Sequence, residues 1–139
     1  MLRGVATISF YADDVEAAAK WYAELLGIDP YFSRPGADGR PAYMEFRIGD
    51  YQHELGLIDR RYAPPDSPTE PGGAITYWHV DDLTGTFERL LEMGATVYQA
   101  LTERGEGFIT AAVVDPFGNI LGIMTNPHYL ETLDSLTTA

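Results

Sequence analysis

Apolar and polar positions follow one succession along the chain, and the succession occurs twice. Val5 to Tyr11 is an apolar, strand-like run. After it, Val15, Ala18, Ala19, Tyr22, Leu25 and Leu26 recur at three- and four-residue steps, the spacing of one helix face. Asp14 opens that helix where an N-cap acid is favoured, and Gly27 closes it where a left-handed residue is needed. Strand candidates follow at about 28–34, 42–48 and 52–59, parted by Pro35-Gly36, Asp38-Gly39 and Gly49-Asp50. The order then returns, with Asp82 standing 68 residues after Asp14. Ala74 to Val80 is the second apolar run, and Leu83, Phe87, Leu90 and Leu91 mark a second helix that closes on Gly94. Further strands are expected at about 95–101, 108–115 and 119–125, with turns at Gly105 to Gly107 and Pro116 to Asn119.

Each half therefore reads β-α-β-β-β. The expected fold class is α+β, with two tandem βαβββ modules forming a cupped mixed sheet in a single domain over 1–139. Module one spans about 3–60, a Pro- and Gly-rich linker about 61–73, module two about 74–126 and a tail about 127–139. Leu130, Leu133 and Leu136 give the tail a three-residue spacing, which fits a short docked helix or a frayed end. A sheet with helices on one face must have its other face covered. Two such sheets curled together leave a cavity.

Composition narrows the function. Hydrophobic residues make up 45%, enough for a packed core. No apolar run approaches the roughly 20 residues of a membrane span, and the first residues carry no secretory pattern, so a cytoplasmic protein is expected. The absence of cysteine removes disulfides, thiolate metal sites and cysteine nucleophiles. A net charge of −12 disfavours nucleic acid and anionic membranes as partners and attracts cations, including cationic small molecules. There is no phosphate loop, zinc signature or Ser-His-Asp order with supporting context.

Three stretches carry a likeness to a known family. SFYADDVEAAAKWYAELLG, with Trp21-Tyr22 and Leu26-Gly27, is similar to the first strand and helix of the vicinal oxygen chelate superfamily. TYWHVDDLTGTFERLLEMGA is similar to its second strand and helix, and VVDPFGNILGI to its last hairpin. That superfamily includes glyoxalases, extradiol dioxygenases, and fosfomycin- and bleomycin-resistance proteins, and the likeness covers about residues 3–126. It implies paired βαβββ modules, a ligand cavity in the cupped sheet and, in many members, a homodimer. It also implies where a divalent ion would be held: seven residues before each helix-opening Asp, and on the last strand of each module, by His, Glu or Gln. Those positions are Thr7, Ile75, Glu54 and Gly122, the latter pair again 68 apart. Only Glu54 is a good ligand, so no metal and no other cofactor are expected.

Strand alternation supplies a candidate lining. With Thr7 facing the cavity go Ser9 and Tyr11; with Ile75 go Tyr77 and His79; with Glu54 goes Gln52. Ala42, Met44, Phe46 and Ile48 suit the helix side, which turns Tyr43, Glu45 and Arg47 to the cavity. Ligand binding is assigned to Thr7, Ser9, Tyr11, Tyr43, Glu45, Arg47 and Tyr77, and catalysis, if any, to Glu54 and His79. Plain structural readings stand beside these. Glu45 and Arg47 are also a solvated rim pair, Glu54 also a solvent-facing residue or the partner of Arg47, and His79 also a neighbour of Asp81 and Asp82 at the helix start. His53 falls on the opposite parity and is read as structural, and Trp21 and Tyr22 as helix core. Three functions fit: metal-independent binding of a small organic molecule; a lyase, isomerase or epimerase with Glu54 or His79 as general base; or a regulatory or assembly module with a vestigial cavity.

Overall fold

The computed structural model describes residues 1–138. They form two compact units, Met1–Ser67 and the chain from Pro68 onward, divided inside the Pro-rich linker.

In the first unit, β1 (Thr7–Ala12) leads into α1 (Val15–Leu26), then β2 (Phe32–Pro35), β3 (Pro41–Ile48), β4 (His53–Asp59) and a 3-10 turn at Arg60–Tyr62. The sheet order is β1-β4-β3-β2, with β1 parallel to β4 and the other pairs antiparallel. Asp14 caps α1 by accepting the Ala17 N–H at 3.1 Å, and Gly27 ends it at φ 70°. Val15, Ala18, Ala19 and Tyr22 turn inward from α1 and meet Phe10, Phe46, Leu55 and Leu57 of the sheet. Phe46 and Leu57 are wholly buried. This apolar layer supplies most of the unit's stability, at about 1.5–3 kcal/mol for each fully buried large side chain.

The second unit repeats the plan: β5 (Tyr77–His79), α2 (Leu83–Glu92), β6 (Thr96–Gly105), β7 (Phe108–Val114), β8 (Ile120–Thr125) and α3 (Pro127–Thr137). Its sheet order is β5-β8-β7-β6, with β5 parallel to β8. Asp82 caps α2 through the Gly85 N–H at 3.0 Å. Leu83, Leu90, Ala111, Val113, Leu121 and Ile123 form the core. Buried Asp115 closes the β7–β8 turn, one carboxylate oxygen accepting the N–H groups of Phe117 and Asn119 at 2.9 Å each. The chain is thus an α+β fold with two four-stranded mixed sheets.

Several boundaries differ from those the pattern predicts. β5 covers three residues rather than Ala74 to Val80, because Gly73, at φ 84°, still turns the chain four residues before Tyr77. β6 runs on to Gly105, its pairing with β7 carried through three register shifts. Gln52, expected to face inward from β4, lies in the β3–β4 turn at φ 54°, where its side-chain amide donates to the Gly49 carbonyl at 2.8 Å. The tail is a helix, capped by Asn126, whose side chain accepts from the N–H groups of His128 and Tyr129. No helix among the described residues is long and apolar enough to cross a membrane.

Candidate functional site

Ladder register decides which side chains share a face. In the first unit Thr7 stands opposite Glu54, Ser9 opposite Gly56 and Tyr11 opposite Ile58. Across β3–β4, Arg47 stands opposite Glu54, Glu45 opposite Gly56 and Tyr43 opposite Ile58. Alternation along each strand therefore puts Thr7, Ser9, Tyr11, Tyr43, Glu45, Arg47 and Glu54 on the sheet face away from α1. The hairpin adds Phe32, opposite Glu45, and Arg34, opposite Tyr43. Pattern reading passed over these two, because β2 is short and its hydrophobicity does not alternate cleanly.

Glu45 is the centre of this face. It is only 9% exposed, although β3 continues to an exposed Arg47 two residues on. The Tyr43 hydroxyl donates a short hydrogen bond to Glu45 Oε1. The Tyr43 ring lies over Gly56, where any Cβ would come within 2.6 Å of its hydroxyl oxygen. Burial raises the Glu45 pKa above the ordinary carboxylate range, the nearby charge of Glu54 raises it further, and Arg47 opposes both. Burial and Glu54 likewise raise the Tyr43 pKa, with Arg34 opposing. Glu54 itself accepts a long hydrogen bond, 3.5 Å, from the Thr7 hydroxyl. Arg47 does not close an ion pair with it; its guanidinium sits 4.2 Å from the centroid of the Tyr31 ring. Tyr31 is held there by its backbone N–H, which donates to the Glu45 carbonyl at 3.0 Å. The solvated Glu45–Arg47 pair and the Glu54–Arg47 pair that the sequence allowed are therefore not formed.

The second unit carries a different face. Tyr77 donates its hydroxyl to Gln99 Oε1 at 2.9 Å, and Thr110 reaches the same oxygen at 3.5 Å. Arg104 Nε donates to the Thr110 hydroxyl at 3.2 Å. His79, two residues from Tyr77, lies under α3, with Tyr129 stacked on its ring. Gln99, Thr110 and Tyr129 were not expected in this environment, since nothing local in the sequence marks a cross-strand or helix-to-strand contact.

The metal positions inferred from the repeat need one correction. Tyr77 stands opposite Gly122, just as Ser9 stands opposite Gly56. Gly122 is therefore the counterpart of Gly56, and the residue matching Glu54 is Ile120. The 68-residue offset holds for the first strand and helix but falls to 66 by the last strand, because the strands and turns between differ in length. Gly122 has its own constraint: an added Cβ would meet the Thr76 carbonyl at 2.7 Å. The first unit then offers one hydroxyl and one carboxylate, and the second only the hydrocarbon side chains of Ile75 and Ile120. Such a donor set does not fit an ion that takes four to six ligands.

A separate recess of the first unit lies at the start of α1. It is a cluster of mostly exposed charges: Asp13 with Arg60 at 2.9 Å, half-buried Asp59 with Arg61 at 3.0 Å, and Asp14 with Arg40 at 3.8 Å. Solvated pairs of this kind contribute little, and the recess has none of the aromatic wall found around Glu45.

Comparison with known proteins agrees with this architecture. The sequence model of the Glyoxalase/Bleomycin resistance protein/Dioxygenase superfamily matches residues 4–123. An uncharacterized protein of Mycobacterium bovis is 31% identical over 111 residues, covering 77% of this chain and 73% of that one. A Mycobacterium tuberculosis relative is equally identical, and the match spans 65% of its length. Among solved structures, a glyoxalase-related enzyme from Fulvimarina pelagi superposes with a TM-score of 0.70 at 25% identity, over 91% of this chain and 90% of its own. TnmS3, an antibiotic binding protein from Streptomyces sp. CB03234, superposes with a TM-score of 0.64 at 26% identity, over 88% of this chain and 94% of its own. With its doubled βαβββ plan and a family match over most of its length, the chain belongs to the glyoxalase/bleomycin resistance protein/dioxygenase superfamily.

Proposed function

We propose that this protein binds a small organic ligand on the Glu45 face of its first unit, without a metal ion. The observation that carries the reading is the buried Glu45 carboxyl, held by the Tyr43 hydroxyl, with Glu54 nearby and Phe32 opposite it on β2. A few fixed polar groups among aromatic walls are what small-ligand sites present. Likeness to an antibiotic binding protein supports the reading, and the −12 charge favours a ligand that is cationic or rich in hydrogen-bond donors. The reading includes a homodimer in the cytoplasm; exposed Val97, Tyr98 and Leu101 on β6 are apolar surface that a second copy would cover.

The test is a thermal-shift screen with cationic antibiotics and aromatic metabolites, paired with metal analysis of the purified protein. A ligand at a hundredfold excess over Kd stabilises by about 2.7 kcal/mol, and Glu45→Gln should reduce that shift. A stoichiometric tightly held ion, or no shift with any compound, would overturn the reading. Sedimentation velocity tests the dimer.

A second reading is an enzyme of the lyase, isomerase or epimerase kind. It is favoured by the raised pKa of Glu45 close to the Glu54 carboxyl, since a tuned acid beside a second carboxyl suits proton transfer. Glu54→Gln should then abolish turnover while leaving the unfolding midpoint nearly unchanged.

A further inference from the structure

His79 has one ring nitrogen occupied and the other shut away. The Asn126 backbone N–H donates to Nδ1 at 3.1 Å. A nitrogen that accepts carries no hydrogen, so the neutral ring bears its proton on Nε2. That Nε2 is buried and makes no hydrogen bond, although Asp81 Oδ1 stands 3.5 Å away. The side chain is 9% exposed. Tyr129 of α3 covers it, ring centroids 4.9 Å apart and planes 8° from parallel. A buried donor without a partner costs free energy whenever the cover is closed.

The cover itself is lightly held. No residue of α3 is buried. Attachments in its first turn are Asn126 and Tyr129 on His79, the His128 ring 5.0 Å from that of Phe108, and Pro127 against Gly107. Beyond that turn, Leu130 is 47% exposed and Leu136 61%, and only Leu133 is half-buried. Elements with few buried apolar contacts open locally at far less than the cost of global unfolding.

We infer that α3 is a strap that silences His79. Docked, it occupies Nδ1 and covers Nε2; lifted away from the end of β8, it releases an imidazole able to donate to or accept from a ligand on the Tyr77 face of the second unit. Any chemical role for His79 therefore requires the strap to open.

Three measurements on the whole protein test this. Hydrogen exchange should show α3 amides exchanging well ahead of those of β8; exchange together would overturn the strap. Nitrogen NMR of the imidazoles should find His79 as the Nε2–H tautomer; an Nδ1–H tautomer would overturn the latch. Diethylpyrocarbonate labelling, read by peptide mass, should modify His79 far more slowly than exposed His128. Tyr129→Ala should raise the His79 rate about tenfold while leaving His128 unchanged, and Tyr129→Phe should restore the slow rate. Equal rates for His79 and His128 in the wild type, or no response to Tyr129→Ala, would refute the proposal. The first two measurements and the wild-type labelling need no variant to fold.

Discussion

At the scale of single residues, Glu45 contributes a pH dependence to the first unit. Its pKa is raised in the folded state, by burial first and by Glu54 next. The folded protein therefore holds a proton that the unfolded chain has released, over the interval between the ordinary carboxylate pKa and the raised one. The contribution of Glu45 to stability falls as pH rises through that interval. Glu45→Gln should remove this decline, as read from denaturant midpoints at a series of pH values. Glu54→Gln should lower the Glu45 titration midpoint by carboxyl carbon NMR, and Arg47→Met should raise it; shifts of the opposite sign would refute the arrangement. Parity in the sequence was enough to place Tyr43, Glu45 and Arg47 on one face. It could not tell that Glu45 is buried while Arg47 turns to Tyr31, since both are charged and two residues apart. What separates them is the Tyr43 ring on Gly56 and the backbone bond to Tyr31, the first a contact between strands and the second between β3 and the residue before β2.

At the scale of elements, the caps and the two strand glycines carry the testable energetics. Asp14→Ala and Asp82→Ala should each cost about 1 kcal/mol by removing an N-cap acceptor, and the costs should add, because the caps share no partner. Gly56→Ala and Gly122→Ala should both destabilise, by about 1–3 kcal/mol, the range for overpacking. The second should be the larger. At Gly56 the obstacle is the Tyr43 side chain, which can swing aside and lose Glu45; at Gly122 it is the Thr76 backbone carbonyl, which cannot. Equal unfolding midpoints for the two variants would contradict this. The helices α1 and α2 and most strands were legible, because amphipathic spacing and turn residues are local signals. The three-residue β5 and the long β6 were not, because where a ladder stops depends on its partner strand. The matching of Glu54 to Gly122 failed for the same reason: counting along the chain cannot see a change in turn length that the hydrogen-bonded ladder records.

At the scale of the whole molecule, a charge of −12 on 139 residues should make folding salt-dependent. Raising the ionic strength from about 0.01 M to about 0.15 M shortens the screening length from about 30 Å to about 8 Å. The thermal midpoint should rise as self-repulsion weakens, and a midpoint indifferent to salt would show that self-repulsion contributes little to the stability of the fold. Sequence alone determined the repeated β-α-β-β-β order, the helix caps, the core faces and the family, because these follow from side-chain periodicity and from residues with special backbone preferences. Tertiary structure decided which carboxyl is buried, which nitrogen of His79 is engaged, and that Ile120 stands where Glu54's counterpart would be. Those facts depend on contacts between segments far apart in the chain, and no local pattern encodes the distance between them.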